Sequence, residues 1–158
     1  MLFSFDKLVT KCIHNPFFTN CLVSEKLRSV FSLAHKTFKR YSTYSLSEIK
    51  SIDRHFRYIS EKEKKNLVER VLKRLWSKKS IGLIINPDLE LCQMSLDGKE
   101  GRMIGILEKI NNSQKRPKRN YLFSPLVYDF EHTFHPNLRK KRIKNNDLVC
   151  IMTEKDCN

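Results

Sequence analysis

Hydrophobic and polar positions fall into three regimes along the chain. From Ser45 onward, Leu46, Ile49, Ile52, Phe56 and Ile59 recur every three or four residues, the period of one helical face. After Ser60, Leu67, Val68, Val71, Leu72, Leu75 and Trp76 form a tighter stripe, the clearest in the chain. Ser45 with Glu48 and Ser60 with Glu63 each show the S-x-x-E spacing, in which two side chains satisfy each other's backbone N–H groups at a helix start. The spacing predicts an antiparallel helical hairpin over residues 45–78. Its opposite face, with Lys64, Lys65, Glu69, Arg70, Lys73 and Arg74, reads as a solvated mixed-charge surface.

Beyond residue 78 the pattern changes. Ser80 to Ile85 is short, apolar and closed by Asn86-Pro87-Asp88, as a strand ending in a turn would be. Leu89, Leu91 and Gln93 alternate with Glu90, Cys92 and Met94, a second strand, and Asp97-Gly98 marks a turn. Residues 100–110 admit two readings, a returning strand over 102–107 or a helix with Met103, Ile104, Leu107 and Ile110 on one face. The three-residue spacing of Ile104, Leu107 and Ile110 favours the helix. In that reading Gly98-Lys99-Glu100-Gly101 resembles the GXXG loop of KH domains, which clamps a nucleic-acid backbone between two helices. The chain before Gly98 has strand and turn signals where that family has a helix, and Glu100 would repel phosphate, so an ordinary turn describes the segment better. Tyr121 to Phe130 is aromatic and apolar around Ser124-Pro125, suited to an edge or interrupted strand. The fold class expected is α+β: an N-terminal leader, a helical hairpin, then a small mixed sheet with basic loops.

In the third regime, residues 1–41, acids are scarce. From Ser24 on, Leu27, Val30, Phe31, Ala34 and Phe38 lie near one helical face, with Lys26, Arg28, Lys36, Lys39 and Arg40 mostly elsewhere. Arg40-Tyr41-Ser42-Thr43 resembles the cleavage region of mitochondrial matrix presequences, and Arg40, Tyr41 and Ser42 would bracket a cut after Tyr41. The expectation is a targeting presequence over 1–41, a single small α+β domain over 42–158, and a mitochondrial matrix location. Asp6, Glu25 and the break at Asn15-Pro16 depart from the usual pattern, and an ordinary first helix would use the same letters.

Charge adds the functional reading. The chain carries 31 Lys and Arg against 17 Asp and Glu, a net +14. Residues 1–40 hold seven of the cations and two acids, leaving +9 for the rest. Such a field draws polyanions without naming one. Two cationic clusters, Lys115, Arg116, Lys118 and Arg119, then Arg139, Lys140, Lys141, Arg142 and Lys144, bracket the Tyr/Phe-bearing segment. Cations suit phosphates and rings suit bases. The pattern points to a basic, non-catalytic protein associated with RNA or the mitochondrial ribosome. The rival reading is an assembly or accessory factor that meets respiratory-complex subunits through its helical pair.

Five cysteines without CxxC, CX3C or CX9C pairing argue against a disulfide scaffold, and no apolar run reaches the length of a membrane span. Four glycines supply no P-loop, GxGxxG or nucleophile elbow. Asp129, Glu131, His132 and His135, with Cys150 and Cys157 downstream, hold ligand-type residues. On an extended segment, however, His132 and His135 would point to opposite faces. The sequence calls for no metal, cofactor or catalytic residue.

Overall fold

A computed structural model describes residues 1–8, 14, 15, 18, 19, 22, 23, 27–70, 72–74, 81, 82, 89–96, 101–110, 120–130, 148 and 149. The architecture is α+β, with one five-stranded sheet as its middle layer.

The three long strands are β6 (Glu90–Ser95), β7 (Arg102–Lys109) and β8 (Tyr121–Asp129), an antiparallel meander. Numbering by chain order, β1 is Leu2–Phe3, parallel to β8, and β5 is Arg57–Tyr58, antiparallel to β6. The sheet order is β1-β8-β7-β6-β5. Two small antiparallel pairs complete the list: β2 (His14–Asn15) with β3 (Phe18–Thr19), and β4 (Leu22–Val23) with β9 (Leu148–Val149).

Residues 102–109 are therefore a strand, and the helix favoured by the Ile104-Leu107-Ile110 spacing does not form. The reason is that β7 is buried on both faces. Met103 and Leu107 join one core, while Ile104 and Ile106 join the other. A strand covered on both sides needs a continuous apolar run, and such a run contains helical spacings by accident. The GXXG resemblance loses its helix with it.

Across β7, Ile104 pairs with Val127 but Gly105 pairs with Pro125, so Leu126 is the extra residue of a bulge. Pro125 has no N–H to give a ladder, and the bulge lets β8 carry it through the sheet. Gly105 is needed for a second reason: a Cβ there would stand 2.5 Å from the Ser124 carbonyl oxygen and 2.6 Å from Phe123 Cζ.

Both capping boxes form. Glu48 N–H donates to Ser45 Oγ at 3.2 Å and Ser45 N–H to Glu48 Oε2 at 2.6 Å, opening α2 (Leu46–Ile52). Ser60 N–H donates to Glu63 Oε2 at 3.1 Å and opens α3 (Glu61–Arg70). The stripe expected to run from Leu46 to Ile59 is cut at Asp53, which caps α2 through its own N–H to Ile49 O at 2.8 Å. Its carboxylate accepts His55 N–H at 3.0 Å and both the N–H and hydroxyl of Ser95, at 2.8 and 2.7 Å. That anchor directs the chain into β5, and Ile59 N–H then donates to Leu91 O. The helical pair is thus interleaved with a strand. Ile81 and Gly82, read from sequence as strand, have helical backbone, and Ile81 packs in the second core. Val71, Leu75, Trp76 and residues 83–88 lie outside the described residues.

One core lies between the sheet and the N-terminal segment with α1 (Leu27–Tyr41) and α2: Met1, Tyr41, Leu46 and Ile49 against Cys92, Met94, Met103 and Phe123. The other sets Leu67, Val68 and Leu72 from α3 and the 3-10 turn after it against Leu91, Ile104, Ile106 and Val127. The fold uses both sides of Tyr41. Phe3 meets Phe38 and Phe123 edge-on, with centroids 5.0 and 6.0 Å away, and the Met1 amine donates to Tyr44 O at 2.6 Å.

Candidate nucleic-acid interface

Helix α1 sorts its residues by chemistry. Ala34 and Phe38 pack on the first core, and Thr37 and Tyr41 are buried beside them, the three- and four-residue spacing of one face. Thr37 Oγ1 returns a hydrogen bond to Leu33 O at 2.8 Å. On the outer side His35, Lys36, Lys39 and Arg40 are exposed. The helix contains no acidic residue. Lys39 and Arg40 stand in its last turn, where cations complement the carbonyl end of the helix dipole. Ser42 and Thr43 hydroxyls donate to the carbonyls of Lys39 and Arg40, at 2.8 and 2.7 Å, closing that end. By contrast α3 mixes Glu61, Glu69, Lys62 and Lys65 on its exposed side. Among the described residues α1 therefore presents the most uniformly cationic helical face.

Of the presequence-like trio, Arg40 is exposed, Ser42 half-buried, and Tyr41 only 5 % exposed. Burial, with the nearby Asp53 carboxylate second, pushes the Tyr41 phenol up to about 12, and its hydroxyl bonds with Ser95 and Asp53. This group closes the end of the sheet where Ser95 faces Arg102 on β7 and Arg102 faces Asp129 on β8. Burial lowers the Arg102 guanidinium, and the charges of Asp53 and Asp129 oppose that shift. Such a cluster holds strands together. Asp129 is the described member of the ligand-type group, and it is buried in this cluster. Glu131, His132, His135, Cys150 and Cys157 lie outside the described residues. Burial also raises the Cys92 thiol, keeping it protonated and unreactive.

The loop cations Lys115, Arg116, Lys118, Arg119, Arg139, Lys140, Lys141, Arg142 and Lys144 all lie outside the described residues. The strands that flank the first cluster are defined: Ile110 N–H donates to Asn120 O at 2.8 Å, bringing the chain on its two sides together at one end of the sheet. The exposed Lys109 and half-buried Tyr121 stand at that end.

A second group near the same end was not legible as a site. Tyr58 on the edge strand β5 is 43 % exposed. The Lys50 ammonium donates to its hydroxyl at 2.8 Å and lies 4.6 Å from its ring centroid, and Phe56 meets the ring edge-on at 5.6 Å. The signal missed was Asp53, which ends the helical register, so that Phe56 packs against the first core while Tyr58 comes out on the edge strand.

Among its described residues the helical pair spends Leu46, Ile49, Leu67, Val68 and Leu72 on the two cores and leaves Ile52 outside. Among the described residues no helix is long and apolar enough to cross a membrane. No protein-family model, curated protein or solved structure matches the chain.

Proposed function

We propose that the protein is a basic, non-catalytic RNA- or ribosome-associated protein of the mitochondrial matrix. The observation that carries the reading is the acid-free outer face of α1, a row of His35, Lys36, Lys39 and Arg40 held rigid by the buried Thr37 and Tyr41. A net charge of +14 supports it by drawing polyanions from a distance. The two loop clusters supply further phosphate contacts.

The address would be α1 itself, read while the chain is unfolded. Since Tyr41 is built into the core, a cut after it must precede folding. Retention of residues 1–41 keeps the α1 face and the first core, whereas a mature start at Ser42 would strip Met1 and Tyr41 from that core and leave only the loop cations to bind. The mass of the endogenous protein recovered from mitochondria separates the two, and its absence from mitochondria would refute the location.

The binding test is a titration against structured RNA at several salt concentrations. Affinity should fall steeply with salt, about tenfold or more between 50 and 200 mM for several phosphate contacts. Charge reversal at Lys36, Lys39 and Arg40 should abolish it when combined with reversal of the loop clusters. Salt-independent binding, or none, would refute the reading. Co-purification of respiratory-complex subunits, with RNA affinity indifferent to these cations, would support the rival.

A further inference from the structure

We propose that Tyr58, with Phe56 and Lys50, forms a stacking platform for an unpaired RNA base, Lys50 taking the adjoining phosphate. This rests on the RNA reading above and names the form of RNA preferred.

The argument begins with where Tyr58 is left. It belongs to neither core, and it stands on β5, which is the last strand of the sheet order among the described residues. Helix α2 packs on the sheet through Leu46 and Ile49 and leaves Ile52 exposed, and Asp53 then turns the chain away. An aromatic ring that packing would ordinarily hide is thus kept half in water. It is also held in place: Lys50 fixes the hydroxyl, and Phe56 supports the ring at an interplanar angle of 84°. A ring already oriented loses little freedom on stacking, and every base has a face to offer, so such a contact tolerates sequence. Duplex RNA hides those faces and would gain nothing.

Charge selects the occupant. Lys50 is exposed, and its bond to Tyr58 raises its affinity for its proton. Glu90 and Tyr121 also act on it, which places the group beside the sheet end where Lys109 is exposed. Among the described residues Glu90 opposes this, a carboxylate that competes with phosphate for Lys50.

The experiment compares a single-stranded oligoribonucleotide with a blunt RNA duplex of the same sequence by fluorescence anisotropy. Tyr58→Ala should weaken single-strand binding about tenfold and leave duplex binding within about twofold, while Tyr58→Phe, which keeps the ring but loses the bond from Lys50, weakens single-strand binding by less than Tyr58→Ala does. Lys50→Ala should reduce the single-strand salt slope by about 0.7. Glu90→Gln, an exposed change that leaves the fold alone, should tighten single-strand binding. Unchanged single-strand affinity in Tyr58→Ala, or no gain in Glu90→Gln, overturns this inference while duplex binding leaves the RNA reading standing. A wild-type protein that binds neither RNA overturns both.

Discussion

Glu63 joins three parts of the fold through one carboxylate, and replacing it with glutamine tests how the start of α3 is held. Arg57 on β5 donates to both oxygens, at 2.8 and 2.7 Å, and Ser60 gives one of them its N–H and hydroxyl at 3.1 and 2.9 Å. Arg57 above all draws the carboxyl from its ordinary 4.5 down to about 2, with burial opposing and Ser60 assisting. At ~1.36 kcal/mol per pH unit that gap is worth about 3 kcal/mol. The side chains are 32 % and 14 % exposed for Arg57 and Glu63, and solvent screening at the arginine reduces the figure to roughly 1.5–2 kcal/mol. Because the folded state lowers this pKa, the contribution is whole above about 4.5 and fades as pH falls toward 2. Urea unfolding should show Glu63→Gln less stable by about 1.5 kcal/mol at pH 7, with the difference closing below pH 3. A coupling of about 1 kcal/mol should appear in a cycle with Arg57→Ala. A difference that stays constant from pH 7 to pH 2.5 would refute the assignment, since other carboxylates titrate in both proteins and cancel.

Four further outcomes follow from packing and hydrogen bonding. Gly105→Ala drives a Cβ into the Ser124 carbonyl and the Phe123 ring, so thermal unfolding should report a loss of about 2–4 kcal/mol. Gly82→Ala, with nothing within 4 Å, should stay within about 0.5 kcal/mol. Asp53→Ala removes the acceptor for both Ser95 donors and should cost about 2–3 kcal/mol in urea unfolding, Asp53→Asn less. Deleting residues 1–41 strips Met1 and Tyr41 from the first core and β1 from the sheet. The remainder should lose near-UV circular dichroism and become sensitive to limited proteolysis, and an unchanged unfolding midpoint would contradict that.

The legible parts of this fold were local. Both S-x-x-E boxes form, because the capping bonds span three residues and need no tertiary partner. The amphipathic α1 was readable from Ala34 and Phe38, and β6 and β8 from their apolar alternation and runs. What sequence could not fix depended on distant chain. Whether residues 102–109 coil or extend is decided by burial on both faces, and the letters M-I-G-I-L satisfy either period. Ile81 packs in the second core from helical backbone, against residues far away in the chain. At the candidate interface, the cations of α1 were visible but their common face was set by Thr37 and Tyr41 turning inward. Tyr58 stood between Phe56 and Ile59 of an apparent stripe that Asp53 interrupts through Ser95, 42 positions away.

The parallel pairing of β1 carries a consequence for synthesis. Leu2 aligns with Leu122, 120 positions later, and Leu22 with Val149. At ~5–20 residues per second, the first strand waits roughly 6–24 s on the ribosome before its neighbour emerges. Throughout that interval the apolar N-terminal residues have no sheet to join and are open to whatever chaperone or translocation receptor reaches them first. A late-arriving partner strand thus works as a timer, leaving Met1 and Phe3 accessible to cellular machinery before the finished fold packs them into the first core.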